Sequence, residues 1–339
     1  MRPLPPSRLP ELDYLDTSVR PTFGALPDAV HAELVALAGS PVARAAAPVT
    51  SGFSGAYAGR LLLEDGREVF AKAGGAGLPH VLEALAQEAA ILPQLAGLRC
   101  PTRLVGAGEV LVDGELWRLL VLDVVDGRQP GGPWTRTDAD ATVRTCVEIA
   151  STPSEVVERV TSTPLALDLA QDGGGHATLK DLAVGARRWP SGITRPAGKD
   201  TSELVELASR AERACRGEAL AHWDIRPDNL LVESDGTVRV CDWNWVRVGP
   251  PWADLVSLWP QMARHGIDVR AHRTAPVLDG APDDDIDAFL AALAGFLLED
   301  VDEPPPPGCT VSLRKHQLLL ADATLRLVGE RRGWSMLRG

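Results

Sequence analysis

The stretch AHWDIRPDNLLVESDGTVRVCDWNW, residues 221–245, decides how this chain is read. It sets five carboxylates, two asparagines and one histidine around two short apolar runs, LLV (230–232) and VRV (238–240). Between the runs lies ESDGT. Asp-Gly is a favoured dipeptide for a two-residue hairpin turn. With Asp235 and Gly236 in that turn, Ser234 faces Thr237, Leu231 faces Val240 and Asn229 faces Asp242. Opposed residues of an antiparallel pair point to the same side, with Cβ atoms about 5 Å apart. The register therefore predicts an amide oxygen and a carboxylate side by side at the open end of the hairpin.

Oxygen donors of this kind suit a hard divalent cation. Mg²⁺ typically takes one or two protein ligands and completes its shell with water and phosphate oxygens. Asp224 precedes Asn229 by five residues, in a segment that Pro227 keeps from being helical. A carboxylate on such a loop can accept a proton from an attacking hydroxyl. Arg226 is placed to offset charge on a phosphate being transferred.

Upstream, PDAVHAELVALAG reads as a helix with Pro27 at its start and Gly39 at its end, after a Pro-rich segment (1–26) expected to be extended or loosely docked. VARAAAPV reads as a strand, and YAGRLLLEDGREVFAKA as a hairpin turning at Asp65-Gly66. PHVLEALAQEAAILPQLAG has helical spacing at Leu82, Leu85, Ala89 and Leu92. RLVGAGEVLV and ELWRLLVLDVV are two further strands joined at Asp113-Gly114. DGRQPGGPW (126–134) is the boundary between two parts of the chain. Beyond it, helices are expected at 138–150, 201–220, 252–264, 284–299 and 311–331, and the 171–200 stretch is read as a loop or lid without a firm assignment. Ile286, Phe289, Leu290, Leu293, Phe296 and Leu297 are spaced for one buried helix face.

The net charge of -12, from 34 Lys+Arg against 46 Asp+Glu, argues against nucleic-acid binding. It suits a cationic small molecule or a metal-bound phosphate, or simply keeps the chain in solution. Five cysteines with no CxxC pair fit free thiols in a reducing compartment rather than a disulfide framework. The first residues carry no apolar run of a signal peptide, and IDAFLAALAGFLLED falls short of a membrane span. A cytoplasmic protein without membrane contact is expected.

HWDIRPDN followed by CDWNW resembles the HxDxxxxN and IDW pair of the aminoglycoside phosphotransferase family, within the protein-kinase-like fold. Choline, homoserine and macrolide kinases share that family. The resemblance implies Asp224 as catalytic base, Asn229 and Asp242 as Mg²⁺ ligands, and His222 as a support of the loop. It extends upstream in order. Lys72 in FAKA stands at the phosphate-binding lysine and Glu88 at its pairing glutamate. SGFSG resembles the nucleotide loop, with Ser51, Gly52, Ser54 and Gly55 near phosphate. LDVVDG resembles the hinge, where the backbone of Asp123 and Val125 would meet the nucleotide base. Asp254 in GPPWADL stands where an aspartate supports the catalytic loop. There are departures. Trp243-Asn244 replaces Phe-Gly and no APE-like segment follows, which argues against a protein substrate. Trp223 stands where many relatives have glycine, and residues 51–55 lack the GxGxxG pattern.

Several polar residues have plainer readings. Asp228, Glu233 and Asp235 read as solvated or turn residues. Trp245, Trp252 and Trp259 read as core packing. Asp283, Asp284 and Asp285 read as a helix start, where the dipole favours acids, ahead of an attractor for cationic substrates.

The expectation is thus a two-lobed α+β protein-kinase-like fold. Residues 1–41 form an extension and helix. Residues 42–125 form a nucleotide-binding lobe with a five-stranded antiparallel sheet and one helix. Residues 126–339 form a mainly helical lobe with the catalytic loop and the acceptor site. The expected activity moves the γ-phosphoryl of ATP (or GTP), with Mg²⁺, to a hydroxyl of a small molecule such as a cationic, aminoglycoside-like antibiotic. A metabolic kinase for an amino alcohol, homoserine or a sugar is the alternative within that class. A nucleotide-binding pseudokinase is the alternative outside it, although no base, lysine or metal ligand is missing. The sequence leaves the oligomeric state open.

Overall fold

The computed structural model describes residue 4, residues 7–170 and residues 174–338. After helix α1 (Asp28–Ala38), five strands form one antiparallel sheet: β1 (Val42–Ala45), β2 (Tyr57–Leu63), β3 (Glu68–Gly75), β4 (Leu104–Val112) and β5 (Glu115–Asp123). The order is β1-β2-β3-β5-β4, and helix α2 (Pro79–Ile91) is inserted between β3 and β4. Alternation along β3 decides what each face carries. Val69, Ala71 and Ala73 enter the core under α1 with Val30, Leu34 and Val121. Lys72 takes the opposite face. It sits across from Leu120 of β5, which packs on Val81 and Leu85 of α2.

The chain then passes through β6 (Gly127–Arg128), α3 (Arg136–Ala150), α4 (Ser154–Val160), α5 (Ala166–Ala170), α6 (Gly175–Val184), β7 (Thr194–Pro196), α7 (Lys199–Ala208), α8 (Ala211–Ala214), β8 (Ala219–Ala221), β9 (Leu230–Glu233), β10 (Val238–Val240), β11 (Arg247–Gly249), α9 (Ala253–Arg264), α10 (Asp283–Leu298), α11 (Ser312–Arg332) and β12 (Met336–Arg338). This part is mainly helical around α10. That helix is buried nearly all round rather than on one face, because Ala288, Ala291, Ala292 and Ala294 let neighbours close on its other sides. Its Gly295 meets Gly175 of α6 so closely that a Cβ there would lie 2.0 Å from the Gly175 carbonyl oxygen.

Four expectations need correction. The helix expected over 201–220 ends at Ala208, and the chain turns through α8 into β8. The 171–200 stretch, read as a loop or lid, contains helix α6 and strand β7. The N-terminal extension is tied down. Leu4 enters the main core, the Ser7 hydroxyl donates to Asp322 Oδ2 (2.7 Å), Glu11 pairs with Arg264, and the Thr17 and Ser18 amides donate to Thr50 O (2.8 and 2.9 Å).

The fourth correction is the hairpin register. Val238 pairs with Val232, Arg239 with Leu231 and Val240 with Leu230, one residue away from the two-residue-turn register. The Glu233 amide donates to Thr237 O (2.8 Å) and the Gly236 amide to Glu233 O (3.0 Å), so the loop has three residues and ends on Gly236 at φ 82. This is a tight turn followed by a left-handed residue, which glycine supplies without steric cost. Asp235 is not left-handed. Its Oδ1 accepts the Thr237 amide (2.8 Å), a local bond that suits the three-residue loop. Asn229 consequently faces Cys241, whose amide donates to Asn229 O (2.9 Å), and Asp242 lies one residue beyond the pairing.

Candidate active site

The chain from β8 to β9 forms the floor of the cleft. β8 is fixed by pairing with β11, and Pro227 opens a single tight turn to Asn229. Between them Trp223 adopts φ 62, and Asp242 after β10 adopts φ 61. Left-handed conformations cost a non-glycine residue of order 1–3 kcal/mol and persist only where neighbours fix them. For Trp223 the fixing group is Asp254, in the first turn of α9. Its buried carboxylate accepts the His222 amide (2.8 Å) and the Trp223 amide (2.9 Å). His222 ties the loop to the exit of β10. Its Nε2 donates to Cys241 O (3.0 Å), and its ring stands edge-on to Trp243 at 4.7 Å. Burial pushes the His222 pKa down, so the ring is a neutral cross-link.

Asp224 projects from this floor. Its Oδ1 accepts from Arg226 Nη1 (2.8 Å) and its Oδ2 from Asn229 Nδ2 (2.9 Å). Burial raises its pKa to about 6 against the pull of Arg226. A carboxylate tuned to this range is ionised at neutral pH yet basic enough to take a proton. Asn229 Nδ2 also donates to Asp224 O (2.9 Å), which leaves the amide oxygen as the atom able to serve a cation.

Above the floor, Lys72 Nζ donates to both Glu88 oxygens (2.9 and 2.7 Å) and to Asp242 Oδ1. Burial works against charge on all three, and their mutual pairing offsets it. The ammonium of Lys72, with Arg226 and Arg20, holds the Asp242 carboxyl below its usual range. The lysine, the helix glutamate, the aspartate after β10 and the loop aspartate with its asparagine thus meet in one cleft. The donor set Asn229 Oδ1 and Asp242 carboxylate is all oxygen and fits Mg²⁺. Among the described residues no cluster of three or more His, Cys, Asp or Glu side chains is arranged for a metal.

At the far end of β5, the Asp123 amide donates to Arg103 O (2.9 Å) and the Val125 carbonyl accepts from Arg60 Nη2 (3.0 Å). The Ser51–Gly55 loop is held from outside. Arg20 donates to Ser51 O (3.0 Å), Ser54 Oγ (3.0 Å) and Ala56 O (2.7 Å), and Thr17 Oγ1 donates to Gly52 O (2.5 Å). Gly55 abuts Gly308, where a Cβ would lie 2.7 Å from the Gly308 carbonyl oxygen. The loop tip, Phe53, is buried 4.8 Å above the Arg226 guanidinium and 5.0 Å from the His316 ring. Tyr14 OH is 2.8 Å from His316 Nδ1.

Two residues depart from their sequence reading. Asp228 is not solvated: its side chain is fully buried and its Oδ1 pairs with Arg226 Nε (2.8 Å). Trp245 is not core: it is 43% exposed at the cleft, whereas Trp252 and Trp259 are buried. The sequence reading missed Tyr14, Arg20, Phe53 and His316 altogether. The acids at the start of α10 meet arginines: Asp283 and Asp287 pair with Arg331, and Asp284 with Arg332.

A kinase-like fold with a lysine–glutamate pair over an Asp-Asn loop defines a phosphotransferase acting on hydroxyl groups. The model of the phosphotransferase enzyme family matches residues 46–290, and the chain belongs to that family. Among solved structures, a ternary complex of an aminoglycoside phosphotransferase with AMP-PNP and hygromycin B superposes with TM-score 0.55 at 13% identity, covering 88% of this chain and 98% of the other. A GDP complex of an aminoglycoside 2′-phosphotransferase gives 0.53 at 16% identity, covering 90% and 98%. A spectinomycin phosphotransferase with ADP and spectinomycin gives 0.53 at 10% identity, covering 88% and 98%. These likenesses concern the fold. No curated protein matches the chain.

Proposed function

We propose that this protein transfers the γ-phosphoryl group of ATP, or of GTP, to a hydroxyl of a small molecule. The observation that carries the reading is the meeting of two linked sets at the β9–β10 hairpin. One is Glu88–Lys72–Asp242, and the other is Arg226–Asp224–Asn229. In the proposed step the acceptor oxygen gives its proton to Asp224 and forms a bond to the γ-phosphorus. The bond from that phosphorus to the bridging oxygen breaks, and the nucleoside diphosphate leaves. Lys72, oriented by Glu88, binds α/β-phosphate oxygens. Asn229 and Asp242 would hold Mg²⁺, which supplies charge neutralisation on the phosphate oxygens when bound. Arg226 holds Asp224 in place and faces the transferred phosphate. The Val125 amide would meet the nucleotide base, and the Ser51–Gly55 loop the phosphates. In this reading residues 42–125 carry the nucleotide and residues 126–339 the acceptor.

Catalysis of this kind is mostly positioning and electrostatics. The complexes with AMP-PNP, GDP and ADP named above support a nucleotide in the cleft. The test is ADP release across a panel of hydroxyl acceptors, with Mg-ATP binding followed by calorimetry in parallel. An Asp224→Asn variant that turned over at the wild-type rate would sink the base assignment. A protein that failed to bind Mg-ATP would sink the kinase reading and favour a scaffold role, whereas Mg-ATP binding with no phosphoryl transfer would favour a nucleotide-binding pseudokinase.

A further inference from the structure

A cavity of about 90 Å³ opens beside Asp224, between the catalytic loop and helices α9, α10 and α11. Its walls are largely apolar. Trp223 and Ile225 come from the loop, Leu293 and Phe296 from α10, and Leu320 from α11. The half-exposed Trp245 lies at its edge. Among the described residues Asp224 is the one carboxylate lining it, and that carboxylate is already engaged by Arg226 and Asn229. Arg226 in turn is paired with Asp224 and Asp228. His316 is bonded to Tyr14 and held neutral, since burial and Arg226 lower its pKa to about 3. The remaining polar groups are the Ser257 hydroxyl and the Gln261 amide, both uncharged.

An ammonium entering this space would lose its water and find no unpaired carboxylate, and burial of an unpaired charge is costly. The net charge of -12 does not help, because the exposed acids of α10 are paired with arginines away from the cavity lining.

We propose that the acceptor inserts a small, uncharged, hydroxyl-bearing group on an apolar skeleton, and that the site selects against ammonium-bearing acceptors. The inference rests on the phosphotransfer reading of the same cleft and narrows its substrate class. The Gln261 amide supplies the neutral hydrogen bond that orients the hydroxyl toward Asp224, while the Ser257 hydroxyl, which donates to Asp254 O (2.8 Å), is left as an acceptor in the wall. Trp245 offers a flat apolar surface to whatever part of the molecule remains outside.

The test measures binding to the wild-type protein saturated with Mg-AMP-PNP, by ligand-observed NMR at pH 7.5. The probes are cyclohexylmethanol and 2-phenylethanol, each against its 4-aminomethyl derivative. The neutral alcohols are expected to bind at least about tenfold more tightly than their ammonium counterparts, as the cost of an unpaired buried charge demands. Equal or tighter binding of the aminated probes overturns the proposal, and so does failure of both neutral alcohols to bind. Gln261→Glu, which places a carboxylate in the wall with little change of shape, is expected to shrink the discrimination by about tenfold. Discrimination unchanged in a folded Gln261→Glu protein would place the binding elsewhere and overturn the proposal too. Mg-ATP affinity, titrated separately, keeps the two readings apart. Its absence removes the phosphotransfer reading, whereas intact nucleotide binding with a preference for ammonium removes only the acceptor class.

Discussion

Two regions meet at the cleft and differ in how they are built. The first, from Lys72 to Asp254, is made of residues whose positions follow from strand alternation, one hairpin and one loop, and it lies within residues 46–290, where the family model matches. The second consists of residues 13–20 and 306–316, outside that match. It closes on the Ser51–Gly55 loop and on the cavity beside Asp224 through long-range contacts: Arg20 on Ser51, Ser54 and Ala56, Tyr14 on His316, Thr310 on Thr17 (2.6 Å). The difference suggests a division of labour. The first region supplies reacting and charge-bearing groups, and the second sets how firmly the walls around them are held. Substitutions in the first should then change the chemistry or the loop's integrity, and substitutions in the second should change affinity or pH response while chemistry persists.

The largest effect is expected at Asp224. Asp224→Asn keeps the shape of the side chain but removes the proposed proton acceptor, and loss of a general base typically costs 10²–10⁴ in rate. We expect turnover to fall by about 10³ with Mg-ATP affinity within about twofold of wild type. Asp242→Ala should do the reverse and weaken Mg-nucleotide binding itself. Steady-state kinetics with calorimetry separates the two, and equal losses of nucleotide affinity in both variants would break the assignment of separate roles.

Asp254 comes next. Asp254→Ala leaves the buried His222 and Trp223 amides without an acceptor and releases the left-handed backbone at Trp223. Each unsatisfied buried donor costs about 1–3 kcal/mol. A loss of about 2–4 kcal/mol in urea unfolding is expected, accompanied by loss of turnover. A stable and active Asp254→Ala protein would show that the loop holds its own shape.

His316 tests the second region through pH. Its folded pKa of about 3 lies below the ordinary histidine value of 6.5. The unfolded chain therefore binds a proton that the folded chain does not between pH 6.5 and 3. Stability from the neutral ring is fully present above 6.5 and is lost as pH falls through that window, at up to about 1.4 kcal/mol per pH unit. At pH 5.5 the contribution of this residue is a decrease of about 1 kcal/mol relative to pH 7. His316→Gln should flatten the acid limb of the unfolding curve. An unchanged limb would mean that His316 is protonated in the folded state.

What was legible in the sequence follows the same division. The pairing of Lys72 with Glu88 came from the family resemblance, and the five strands and the inserted helix came from local patterns, which tertiary packing did not override. The hairpin register did not, because Asp-Gly serves two turn geometries. Asp113-Gly114 makes the two-residue turn, with both residues left-handed (φ 53 and 83) and Val112 opposite Glu115. At Asp65-Gly66 and Asp235-Gly236 only the glycine is left-handed, and the aspartate Oδ1 accepts the amide two residues on. The dipeptide alone cannot tell these apart. Asp228 read as a surface acid because its partner, Arg226, is two residues away along a turn that the sequence does not display. Arg20 and His316 carried no signal at all, since their partners lie 31 or more residues away in sequence.

The smallest expected effect sharpens the comparison most, because it isolates the second region from the chemistry. Arg20 lies in the N-terminal extension and holds residues 51–56 through the Ser51 and Ala56 carbonyls and the Ser54 hydroxyl. Burial lowers its pKa, while Asp242 and Asp228 act to keep it charged, so the guanidinium also adds positive potential near Asp242, where the proposed phosphates would lie. Arg20→Ala should free the loop and raise KM for Mg-ATP about five- to tenfold, as expected for a few hydrogen bonds of about 1 kcal/mol net that hold a wall rather than a reacting group. Turnover at saturation should stay within about twofold, because Asp224 and Lys72 keep their own partners. Arg20→Lys keeps the charge but not the forked donor, so it should recover only part of the affinity. If Arg20→Ala instead lowered kcat and left KM alone, Arg20 would belong with the reacting groups, and the division between the two regions would have to be redrawn.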